Sequence, residues 1–77
     1  MMTQLTLDMG EIGRRYNVVG INAGRGLTEK IMEMGIVPGT EIKIISRFGG
    51  HVIVMVRGSV IALSRGISRK ILISPLE

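Results

Sequence analysis

The chain has 77 residues, a formal net charge of +4 from ten Lys+Arg against six Asp+Glu, no cysteine, and two aromatic residues, Tyr16 and Phe48. That length sets an expectation of one domain, residues 1–77, with a small core, and the missing cysteines exclude disulfides and thiolate metal sites. The hydrophobic content of 45%, mostly Ile, Val, Leu and Met, points to dense aliphatic packing or a partner as the source of stability.

In chain order, Met1 to Asp8 lacks the basic start and long apolar run of a secretory signal. The longest apolar run, Val52 to Val56, is far shorter than a bilayer span, so a soluble, cytoplasmic protein without direct membrane insertion is expected. Leu5 to Asp8 alternates at Leu5 and Leu7 and reads as an edge segment or short turn. Gly10-Glu11-Ile12-Gly13 is a turn, and Tyr16 to Ile21 a first strand. Asn22 to Gly26 breaks that strand.

Leu27 to Met34 has the spacing of a helix: Leu27, Ile31 and Met34 form one apolar stripe, opposite Thr28, Glu29, Lys30 and Glu33. Arg25 and Glu29 are placed to pair if the helix begins early. Gly35 can close the helix in a left-handed conformation. Pro38 then forces Val37 to be extended, and Pro38-Gly39 has the chemistry of a type II turn.

A strand follows at Glu41 to Ile44, with Ile42 and Ile44 inward; Ile45 breaks the alternation and is expected at the surface. Arg47-Phe48-Gly49-Gly50 is read as a loop with Phe48 at its tip. His51 to Val56 is a strand apolar on both faces, and Arg57-Gly58 a tight hairpin turn. Val60 to Leu63 returns, Ser64 to Arg69 is a turn or one helical turn, and Lys70 to Ser74 is the last strand, stopped by Pro75. Five short strands with one short helix between the first and second give a mainly β protein. The expected architecture is a small barrel, since closure removes sheet edges. The alternative is an open sheet with the helix on one face.

Few constellations carry chemistry. Gly24-Arg25-Gly26 supplies two glycines of a dinucleotide fingerprint, but Glu29 stands where the third belongs. For a metal, the candidates are Glu29 and Glu33, one turn apart on the helix, and His51; such a carboxylate pair is more commonly a solvated face. Met9, Met32 and Met34 read as core fillers. With one histidine and no marked partners for it, the chain is read as not an enzyme. The basic residues are dispersed and two aromatics make no stacking platform, so a basic nucleic-acid-binding barrel is the weaker alternative. Protein contact remains: Phe48, Ile45 and Met55, with Arg47 beside them, are the candidate partner-binding residues, for a heterologous partner or a homo-oligomer, unless they cover a second packed face.

Three stretches resemble the FeoA family, ferrous iron transport protein A. They are Gly13 through Val18-Val19-Gly20-Ile21 with Gly24-Arg25-Gly26; Ile31-Met32-Glu33-Met34-Gly35-Ile36-Val37-Pro38-Gly39-Thr40; and Gly58-Ser59-Val60-Ile61-Ala62-Leu63 with Ile71-Leu72-Ile73. The resemblance spans nearly the whole chain in order. It implies an SH3-like barrel and a cytoplasmic accessory or regulatory role in ferrous iron uptake. The implied partner is the cytosolic part of a membrane iron transporter that binds GTP. It implies no required cofactor, with Fe2+ or another divalent transition metal as the ion in question. The same domain type occurs at the C-terminus of metal-dependent repressors, so a metal-binding regulatory domain is the alternative; a chain this short lacks room for a helix-turn-helix. His51 stands where relatives often have proline, which leaves the shape of the Phe48 loop open. Ser68 stands where a small alanine is usual, without threat to the fold.

Overall fold

The structure, a computed structural model, describes residues 5–76. The sequence reading of Met1 to Gln4 lies outside them. Six strands form one antiparallel sheet: β1 (Leu5–Thr6), β2 (Arg15–Ile21), β3 (Glu41–Phe48), β4 (His51–Val56), β5 (Ser59–Leu63) and β6 (Ile71–Pro75), in the spatial order β1-β6-β2-β3-β4-β5. One more strand is present than the five main ones expected, because Leu5 and Thr6 pair with Ile73 and Leu72. The rest of that segment, Leu7–Met9, is a 3-10 turn. Helix α1 (Arg25–Glu33) joins β2 to β3, and a single turn, α2 (Arg65–Ser68), precedes β6.

Two bulges coil the sheet. Val19 is skipped in the pairing of β2 with β6, and Ile45 in the pairing of β3 with β4. An extra residue on one strand bends it and raises its twist. This explains the apolar pairs Val18-Val19 and Ile44-Ile45. The first member of each is fully buried, while Val19 and Ile45 face out. Strand pairing stops at β1 and β5. The helical turns bridge the remaining gap, the 3-10 turn lying on β6 and α2, and α2 on β4.

The core is aliphatic. Ile42 and Ile44 point inward from β3, as their alternation predicts, and on β4, whose sequence is apolar on both faces, Val52, Val54 and Val56 are the buried residues. Ile31 is the fully buried residue of α1, with Leu27 and Met34 packed beside it. Met32 and Met9 do not fill the core. Met32 is one residue, about 100° of helix rotation, past Ile31 and is exposed, and Met9 ends the 3-10 turn in solvent.

The helix-to-strand joint forms as its residues dictate. Gly35 has φ +91° and donates its N–H to the Met32 carbonyl at 2.9 Å. Gly39 has φ +95°, and the Thr40 N–H donates to the Val37 carbonyl at 3.0 Å, closing the turn around Pro38-Gly39. Gly39 and Thr40 also bond Val18 of β2, by Gly39 N–H to Val18 O at 2.7 Å and Val18 N–H to Thr40 O at 2.8 Å.

Tyr16 is buried and accepts the Glu11 N–H on its hydroxyl at 2.7 Å, pinning the Gly10 to Gly13 turn to β2. Gly10 lies against this ring and the Ile44 side chain, with no room for a Cβ. Ser68 is fully buried, and its hydroxyl donates to the Arg65 carbonyl at 3.2 Å, so the polar group is satisfied.

Candidate functional site

The Phe48 segment is not an open loop. Arg47 and Phe48 are the last residues of β3, Phe48 pairs with His51, and only Gly49 and Gly50 make the turn. Their φ values of +56° and +86° are those of a two-residue type I′ hairpin, which glycine accepts without strain. His51 therefore begins β4 and is exposed. Phe48, at 80% relative exposure, stands on the outer face at the strand end.

The outer face of β3, β4 and β5 continues from there. Opposed residues across it are Lys43, Met55 and Val60, then Ser46, Ile53 and Ala62. Met55 and Val60 are exposed, and Val60 sits on the sheet edge. Met55 lies four residues along β4 from His51, about 13 Å at 3.3 Å per residue. Phe48, Ile45 and Met55 thus occupy one strip, not one tight cluster. Val60 belongs to it and was missed, because a run of four apolar residues does not declare which of its members face out.

Arg47 turns inward relative to Phe48. Its Nη2 donates to the Asp8 carbonyl at 2.9 Å and to the Gly10 carbonyl. This guanidinium ties β3 to the 3-10 turn and forms the wall of a cleft of about 570 Å³. Asp8, Phe48, the Gly49-Gly50 turn, Val52, Arg65 and Arg69 line the rest. Past Gly49 and Gly50 a second hollow, of about 400 Å³, runs to His51 and again to Arg65. Arg65 and Arg69 are exposed, one helical turn apart, and in no ion pair among the described residues. Their partnership with Phe48 was not legible, since two strands, β4 and β5, separate them along the chain.

Three other arginines are already engaged, while Lys30, Lys43, Arg57 and Lys70 are in no ion pair among the described residues. Arg14 pairs with Glu11 at 3.6 Å and lies over the Tyr16 ring at 5.7 Å, and Arg15 pairs with Glu41 at 3.4 Å. On α1, Glu29 faces Arg25 at 3.8 Å. Among the described residues, no three of His, Cys, Asp or Glu gather as a metal-holding group, so Glu29, Glu33 and His51 do not form a common donor set. No helix of the described residues is long and apolar enough to cross a membrane.

A coiled six-stranded antiparallel sheet around one aliphatic core, with helical turns closing its gap, defines a small SH3-like domain. The FeoA domain model matches residues 5–75, and the chain belongs to that family. A protein of Methanocaldococcus jannaschii assigned as Fe(2+) transport protein A is 37% identical over 65 residues, covering 84% of this chain and 79% of the relative. The solution structure of a FeoA-like protein from Clostridium acetobutylicum superposes with a TM-score of 0.87 at 32% identity, over 100% of this chain and 92% of that one. A manganese-dependent transcriptional repressor shares the fold with a TM-score of 0.86 over 99% of this chain and 44% of its own length; at 18% identity the likeness is one of fold alone.

Proposed function

We propose that this chain is a cytoplasmic, non-catalytic accessory of ferrous iron uptake. It acts by docking on the cytosolic, GTP-binding part of a membrane iron transporter and adjusting transport or nucleotide turnover. The observation that carries the reading is the family match over residues 5–75. Surface chemistry supports it. Phe48, Met55 and Val60 hold apolar side chains in solvent along one face, an arrangement that favours contact with another protein. Among the described residues, no three of His, Cys, Asp or Glu gather beside them. The test is calorimetric titration against the transporter's cytosolic part and against the full transporter, with GDP, with a GTP analogue and without nucleotide. Binding in at least one state is expected; its absence in all of them would defeat the proposal.

A further inference from the structure

The cleft between the Gly49-Gly50 turn and α2 has a chemistry of its own. Three guanidinium groups, on Arg47, Arg65 and Arg69, line it with one carboxylate, that of Asp8. The Asp8 carboxylate already accepts a hydrogen bond from the Thr6 hydroxyl, and Arg47 is spent on backbone carbonyls. Arg65 and Arg69 are left to face solvent without an acidic partner among the described residues. Phe48 forms an exposed apolar rim, and buried Val52 lies in the floor.

We infer that this cleft is the seat of an acidic peptide segment of a protein partner. Two carboxylates pair with Arg65 and Arg69, and an apolar side chain of the segment lies against Phe48. The inference rests on the docking role proposed above and names the chemistry of that contact. Guanidinium and carboxylate match as planar, two-pronged partners, which gives direction as well as attraction. The shape favours a peptide over a small anion. A cleft of about 570 Å³ is far larger than one phosphate, and Phe48 and Val52 give it an apolar lining that a small anion would leave unused. A nucleic acid would need the basic surface to continue, whereas Arg14 and Arg15 line a different groove, of about 210 Å³, and are already paired.

The test uses the full chain, labelled with nitrogen-15, and a synthetic peptide of alternating glutamate and glycine with one central phenylalanine. Amide shifts are expected at Gly49, Gly50, Val52, Arg65 and Arg69, and not at Arg14, Arg15 or Lys43. Affinity should fall as NaCl rises, and R65A/R69A should weaken binding roughly tenfold or more, as loss of charge-assisted bonds implies. Both arginines are exposed, so the thermal midpoint of the double variant should match that of the parent. Shifts spread over the surface, equal binding by R65A/R69A, or equal binding of a lysine-rich counterpart would each overturn the inference. So would saturation of the same amides by inorganic phosphate or by a short oligonucleotide at concentrations where the peptide does not bind. Transporter binding that R65A/R69A leaves intact would refute this cleft while the docking role stands. Peptide binding in the cleft by a chain that binds no transporter would refute the docking role and keep the cleft.

Discussion

Gly10 provides a sharp quantitative test of the packing. Its φ of −72° suits any residue, so Gly10→Ala strains no backbone dihedral. Reduced freedom of the unfolded chain would even favour alanine by about 0.4–1 kcal/mol. The added Cβ, however, collides with Ile44 Cδ1, and the Tyr16 ring lies behind it at 3.1 Å. Neither neighbour can yield easily. Ile44 is fully buried, and the Tyr16 hydroxyl is held by the Glu11 N–H at 2.7 Å. Overpacking of this kind costs about 1–3 kcal/mol, so a net loss of about 1–2 kcal/mol is expected. For a domain of this size that lowers the thermal midpoint by roughly 4–16 °C. Ile44→Val removes the colliding methyl and alone costs about 0.5–1.5 kcal/mol. In the double variant the collision is gone, so its loss should fall short of the sum of the single losses by about 1 kcal/mol. Thermal unfolding of the four proteins, followed by circular dichroism, measures the cycle. An unchanged midpoint for G10A, or strict additivity, would refute the reasoning.

Three further outcomes follow from the same geometry. Gly35→Ala and Gly39→Ala both place a side chain at positive φ, so each should lose about 1–2 kcal/mol; G35A should lose more, because its Cβ would also meet Arg57 Cδ at 3.2 Å whereas Gly39 has open space, and denaturant unfolding checks the order. Gly26→Ala, within α1 and with nothing near its Cβ, should gain about 0.4–1 kcal/mol, and a lower midpoint would contradict that assignment. Anaerobic titration with iron(II) or manganese(II) should give the same affinity for E29Q/E33Q as for the parent, since Glu29 faces Arg25 and, among the described residues, no third His, Cys, Asp or Glu joins the pair; a tenfold weakening would place the ion on α1.

Local chemistry made much of the fold legible. Gly35, Pro38 and Gly39 have backbone preferences that act within four residues, so the joint they form could be read directly. The same holds for the Arg57-Gly58 turn, where φ of +53° and +82° gives the tight hairpin expected. The alternation at Ile42 and Ile44 identified the inward face because period two maps directly onto the two faces of a strand. Ile45 was legible as a break in that pattern, and the structure gives its meaning as a bulge.

Less was legible of the surfaces. Phe48 was expected at a loop tip, but glycines at 49 and 50 let the hairpin close in two residues, which carries β3 through to Phe48. Met9 and Met32 were expected inside. Hydrophobicity alone does not say which side of a turn a residue faces, and both lie off the buried stripe.

By itself, the order of residues determined the turns, the short helix, the inward face of β3 and the family, because each depends on neighbours in the chain or on a pattern along it. Only the tertiary structure decided that Arg47 braces the 3-10 turn, that Gly10 must lack a side chain, and that Arg65 and Arg69 share a cleft with Phe48. Those relations join residues far apart in sequence. They exist because two bulges coil the sheet until its helical turns meet, and no local rule states where a coiled sheet brings its ends.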